Sequence, residues 1–159
     1  MGREEVACLI TVLPENPESY LFHTPNLGLT ALQAEAACLP LVSVESPGFE
    51  EEEVTDLSRA ISLAEEEHGI EGVVTGAIRS VYQATRVQRV CHDLGLWCFN
   101  PLWQRDEEEH LEEVIASGFR FLVSGVFAGP LGEAWLGREV DREALGELLP
   151  VARRHRSAR

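Results

Sequence analysis

The 159-residue chain carries 27 acidic against 13 basic side chains, a formal net charge of −14, and 45% of its residues are hydrophobic. Every basic residue is Arg, because the sequence contains no Lys, and this excludes Schiff-base chemistry, a pyridoxal anchor and a phosphate loop with its own Lys. A body this acidic repels phosphate backbones, which argues against general nucleic-acid binding.

The size suits one core, and the charge divides the chain into an acidic α/β domain over residues 1–149 and a basic tail, Pro150–Arg159, with four Arg and no acid. Short apolar runs alternate with helical periodicity, the pattern of βα units and of a mostly parallel sheet with helices on both faces. The expected strands are Val6–Leu13, Leu41–Glu45, Gly72–Thr75, Leu96–Asn100 and Phe119–Val126. The first helix is expected to open at His23-Thr24-Pro25, with Thr24 as cap and Pro25 in the first turn, and to run to about Cys38. In the second, Val54, Leu57, Ile61 and Ala64 share a face and Gly69 supplies the stop. A third helix follows Gly76–Ser80. A fourth starts at Asp106 with Glu109 three residues on, and a last one follows Asp141 and frays into the Arg tail. The Glu runs at 50–53, 65–67 and 107–109 read as solvated faces.

The apolar run Val6–Leu13 is too short to span a bilayer, and Glu4-Glu5 before it has the wrong charge for a signal peptide. Four Cys without a CxxC pair point to a reduced cytoplasm. Five His and four Cys at irregular spacing form no metal motif, and neither GxSxG nor GxGxxG occurs.

In open parallel sheets, ligands sit outside the carboxyl ends of the strands. That rule selects the loops 14–26, 46–49, 76–80, 101–105 and 127–137. Gly76-Ala77-Ile78 either lets an anion approach the backbone at a helix start or is a plain turn. On the following helix Arg79, Tyr82, Gln83, Arg86 and Arg89 share a stripe away from Ala84, Val87, Cys91 and Leu94. The stripe is either a guanidinium site for phosphate or carboxylate or a face of Arg–Glu pairs. Trp103, after Asn100-Pro101-Leu102, either stacks on a ligand or roofs the core. His23 lies beside the same sheet end.

The string Glu71-Gly72-Val73-Val74-Thr75-Gly76-Ala77-Ile78, then Ser80, Tyr82-Gln83, Arg86-Val87, Cys91, Leu94-Gly95-Leu96, Pro101-Leu102-Trp103 and Leu136-Gly137, closely resembles the diphthine–ammonia ligase family. Pro14-Glu15-Asn16-Pro17, Ser19-Tyr20, Phe22-His23-Thr24-Pro25-Asn26 and Gln33-Ala34-Glu35-Ala36 resemble its archaeal-type members. The resemblance implies a HUP/Rossmann-like domain of the adenine-nucleotide α-hydrolase, PP-loop ATP pyrophosphatase superfamily. Its enzymes use ATP, with Mg, to activate the carboxylate of diphthine on elongation factor 2, releasing AMP and pyrophosphate as ammonia forms the amide in the last step of diphthamide synthesis.

On that resemblance Gly76, Ala77, Ile78 and Ser80 line the nucleotide end of the cleft. Tyr82, Gln83, Arg86, Asn100, Trp103 and His23 line the substrate side. The family's leading strand with its SGGKDS loop and its GEGGE-like C-terminal segment are not found in the sequence, and Gln88 stands where a Glu is usual. The chain then reads as a fragment of a ligase, as one half of a split enzyme, or as a loop-less relative that binds a nucleotide or protein without catalysis. A missing strand exposes a sheet edge to a partner chain or to self-association.

Overall fold

β-branched and leucine-rich segments form the two strands that open the fold, β1 (Leu9–Pro14) and β2 (Leu41–Ser46), which pair in parallel from Leu9 opposite Leu41 to Pro14 opposite Ser46. A second parallel pair, β3 (Gly72–Val74) and β4 (Trp97–Phe99), sets Gly72 opposite Trp97 and Val74 opposite Phe99. The computed structural model describes residues 4–19, 21, 22, 24, 26–126 and 131–156, and the chain divides into two compact units, Met1–Trp103 and Gln104–Arg159.

In the first unit the parallel α/β class expected from the sequence is present, as two separate two-stranded sheets. Helix α1 (Thr30–Ala37) begins later than Thr24, after a 3-10 turn at Leu27–Leu29. Thr24 does not cap it, because its hydroxyl donates to the Pro17 carbonyl at 3.2 Å. Helix α2 (Glu50–His68) ends where Gly69 turns left-handed at φ 63°, the conformation that favours glycine there. Helix α3 (Val81–Asp93) starts at Ser80, whose side chain accepts from the Gln83 N–H.

One apolar cluster joins these elements. Leu57 and Ile61 of α2 meet Val87, Val90 and Cys91 of α3, with Leu21 from the β1–α1 loop. Ile10 of β1, Val73 of β3, and Leu96 and Cys98 at β4 pack against it. Burial, with the neighbouring Cys98 thiol, pushes the Cys91 thiol up to about 12, so this cysteine serves packing rather than nucleophilic chemistry. Since Val73 and Cys98 face the helices, alternation sends Gly72, Val74, Trp97 and Phe99 to the opposite face, where Val74 is 59% and Phe99 56% exposed.

The Trp97 indole lies on Gly72, so that a Cβ there would fall 2.0 Å from ring atom Cδ2. Gly72→Ala is expected to lose about 1–3 kcal/mol of stability, the cost of overpacking, in urea denaturation. A loss under about 0.5 kcal/mol would mean that the ring swings aside without cost.

The second unit holds α4 (Glu107–Ala116) and α5 (Arg142–Arg156). The Asp106 side chain caps α4 by accepting from the N–H groups of Glu108 and Glu109, as its spacing suggests. Among the described residues Phe119–Val126 is not a strand: it makes one antiparallel bridge, Leu122 opposite Glu139, flanked by the Val140 N–H donating to Phe121 and the Val123 N–H donating to Arg138, and the pairing goes no further because Gly137 turns back onto the Val123 carbonyl. Helix α5 continues through Arg156, where the sequence suggested a frayed end, and its Arg153 forks onto the Glu108 carboxylate of α4 at 2.5 Å. Arg120 and Arg138 likewise hold Glu139 and Glu147 at 2.7 and 2.6 Å and keep both carboxyls below their ordinary range.

Candidate functional site

At the carboxyl ends of the strands, side chains tie the loop after β1 to the loop after β2. Asn16, just past β1, donates through Nδ2 to the Gly48 carbonyl at 3.1 Å and accepts the Glu18 N–H at 3.0 Å. Ser46 ends β2 with 1% exposure and accepts the Gly48 N–H. Gly48 is required twice over: its φ is 75°, and a Cβ would lie 2.9 Å from that of Asn16.

Beneath this loop Glu53, in the first turn of α2, is 1% exposed. Its Oε1 accepts the Ser19 hydroxyl at 2.5 Å and its Oε2 the Leu21 N–H at 3.1 Å. From the other side the Gln83 side chain of α3 donates to the Leu21 carbonyl at 3.2 Å. The β1–α1 loop is thus clamped between the starts of α2 and α3.

A second tie joins β3 to β4. The Thr75 hydroxyl donates to Asn100 Oδ1 and accepts the Ala77 N–H at 3.4 Å, while the Thr75 N–H donates to the Phe99 carbonyl. Gly76 follows, exposed, with no heavy atom within 4 Å of where a Cβ would stand, which leaves room for a ligand beside the backbone. Ser80 closes the turn by capping α3. On the first two turns of α3 the Arg86 guanidinium lies 3.3 Å from the centroid of the Tyr82 ring, and its Nη1 donates to the Tyr82 carbonyl. The Tyr82 hydroxyl reaches Glu50 Oε1 at 3.3 Å. Loss of solvent raises the Tyr82 pKa, Arg86 opposes this, and the Glu50 and Glu53 carboxylates add to it.

The structure therefore gathers Gly76, Ala77, Ser80, Tyr82, Gln83, Arg86 and Asn100 on one turn, the helix it opens and the bridge beside it. Ile78 lies half-buried in that turn, and Trp103 follows Asn100 in a tight turn, its N–H donating to the Asn100 carbonyl at 3.1 Å. His23 falls outside the described residues, as do residues 127–130 of the expected fifth loop, whose described part lies in the second unit. Arg79 and Arg89 are exposed, whereas Arg86 is half-buried.

Sequence reasoning missed the clamp. It placed Glu53 on a solvated face, yet Glu53, Leu57, Ala60, Ile61 and Ala64 recur at helical spacing on the buried side of α2. Thr75 left no local signal, because its partner is 25 residues away. Among the described residues no group of three His, Cys, Asp or Glu is placed to hold a metal ion, and no helix is long and apolar enough to cross a membrane.

The sequence model of the diphthamide synthase N-terminal domain matches residues 1–98, and that of the diphthamide synthase C-terminal domain matches residues 106–157. The chain belongs to the diphthamide synthase family. The two matches in this diphthamide synthase family chain part where its two compact units part. It is 37% identical over 147 residues to the diphthine–ammonia ligase of Rattus norvegicus, covering 84% of this chain and 52% of that protein. It is 38% identical over 143 residues to that of Mus musculus (83% and 51%), and 34% over 137 to that of Homo sapiens (79% and 51%). The chain thus spans about half the length of these relatives.

Proposed function

We propose that this chain is the domain of a diphthine–ammonia ligase that binds the reactants at its strand ends, working as part of a longer or split enzyme. One observation carries the reading: in the unit that the N-terminal domain model matches, the open turn at Gly76, the Ser80-capped start of α3 and the Arg86–Tyr82 stack adjoin one another. A helix start and a guanidinium both suit an anion, whether phosphate or carboxylate.

The residues fit one anionic group better than a chain of three phosphates, because the sequence has no Lys and Glu50 already engages Tyr82. Gly76, Ala77, Ile78 and Ser80 would line the nucleotide end. Tyr82, Gln83, Arg86, Asn100, Trp103 and His23 would face the diphthine of elongation factor 2. ATP, with Mg, supplies the activation of the carboxylate that ammonia then attacks. The chain's own part is to hold these groups together, through the Glu53 and Gln83 clamp on one side and the Thr75–Asn100 bridge on the other. Four unpaired thiols suit the cytoplasm, where elongation factor 2 works.

The 159-residue chain, incubated with ATP, ammonia and diphthine-bearing elongation factor 2, is expected to bind nucleotide and factor while releasing little AMP. The family's phosphate loop is not found in the sequence to stabilise charge between the α- and β-phosphates. AMP release requiring all three reactants would establish the complete reaction in this chain. Binding with no turnover under any supplementation favours the second reading, a binding module of the same fold. Failure to bind either partner would remove both.

A further inference from the structure

The Tyr82 ring stands between opposite charges. On its face lies the Arg86 guanidinium, 3.3 Å from the centroid, and beyond its hydroxyl, at 3.3 Å, lies Oε1 of Glu50. The stack shows that this ring accepts a cation. The Glu50 and Glu53 carboxylates both act on the Tyr82 hydroxyl, so that end of the ring is the acidic one. Glu53 is buried and engaged by Ser19 and Leu21, whereas Glu50 is exposed and makes no ion pair among the described residues.

The residues that open the same two helices are apolar and face water. Phe49, directly before Glu50, is 58% exposed, and Val81, directly before Tyr82, is 61% exposed. The Glu50–Tyr82 contact draws these two helix starts together. Phe49 also occupies the cap position of α2, where a polar side chain would accept a first-turn N–H, and it makes no such bond. Folding alone therefore favours another residue there.

This combination suits one kind of cation. A primary ammonium wants acceptors for three N–H donors, and Oε1 of Glu50 already takes the Tyr82 hydroxyl. A quaternary ammonium donates nothing. It needs a negative charge within Coulomb reach and aromatic or aliphatic surface against its methyl groups.

We propose that Glu50, Phe49, Val81 and the Tyr82 ring form a subsite for a quaternary ammonium, beside an Arg86 subsite for a carboxylate, so that together they read a betaine. The physiological ligand rests on the ligase reading, since the diphthine side chain carries a trimethylammonium beside the carboxylate to be amidated. Arg86 holds that carboxylate, while Glu50 and the two apolar side chains select the methylated substrate over its unmethylated precursor.

The probes are trimethylglycine, glycine and acetate, titrated into the 159-residue chain and followed by proton NMR. Saturating the trimethylglycine methyl protons should transfer to the Tyr82 and Phe49 rings, and trimethylglycine should bind about 10-fold or more tighter than glycine. Acetate reports the Arg86 side alone. Glu50→Gln keeps an acceptor for the Tyr82 hydroxyl and removes the charge, so it should weaken trimethylglycine about 5-fold or more without weakening acetate. Phe49→Ser should weaken trimethylglycine as well, while its new capping side chain leaves the melting temperature equal or higher, which separates lost binding from lost folding. Equal affinity for trimethylglycine and glycine, absence of trimethylglycine binding, or binding that neither substitution weakens would overturn the subsite and leave Glu50 a partner of Tyr82 alone. No arm uses ATP or AMP release. A chain that binds the elongation factor but not trimethylglycine overturns the subsite and spares the ligase reading, and the converse result spares the subsite.

Discussion

Replacing Glu53 with Ala is expected to cost the fold about 3 kcal/mol, among the larger losses a single side chain can cause. The carboxylate is 1% exposed and accepts both the Ser19 hydroxyl and the Leu21 N–H, so removing it strands two donors next to the core as well as losing a charge-assisted pair. Glu53→Gln keeps one acceptor oxygen but turns an NH2 group toward one of the two donors, and should lose about half as much. Urea denaturation of the two variants beside the parent measures both. A loss under about 1 kcal/mol for Glu53→Ala would show that the β1–α1 loop holds its place without the clamp. Limited proteolysis adds a local check, because cleavage within residues 15–22 should accelerate more than cleavage elsewhere.

Arg86→Ala is the second large effect, and it falls on binding. Among the described residues the structure commits one guanidinium N–H, to the Tyr82 carbonyl, while the plane lies on the Tyr82 ring. The remaining donors suit a bidentate anion. Affinity for the phosphate-bearing or carboxylate ligand should weaken by about 1.5–3 kcal/mol, or roughly 10- to 150-fold, as for loss of a charge-assisted contact. Folding stability should change by under about 1 kcal/mol, the scale of an exposed cation–π pair. Calorimetric titration with nucleotide and with the elongation factor reads the first quantity, and thermal unfolding reads the second. Unchanged affinity would return this stripe of α3 to a solvated surface.

Much of the architecture was legible because burial leaves a period in the sequence. The apolar rows of α2 and α3, the glycine stop at Gly69 and the cap at Asp106 all appear where spacing places them. Periodicity reports which side of a segment is buried and says nothing of which backbone it pairs with. That is why two unlinked pairs were not foreseen, and why Phe119–Val126, apolar enough for a strand, formed only one bridge. The site was legible in part for a related reason. Tyr82, Gln83 and Arg86 share a helical face that the sequence displays. The Thr75–Asn100 contact joins distant positions, and the charge of Glu53 hid its place in an apolar row.

The indole of Trp97 lies across Gly72, on the face of the β3–β4 pair turned away from the helices, and is 43% exposed. Separation of these two strands changes the water around the ring, so its emission is a native optical reporter that needs no attached dye. A shift to longer wavelength in denaturant, lost in a Trp97→Phe variant, would follow the opening of this one pair in real time.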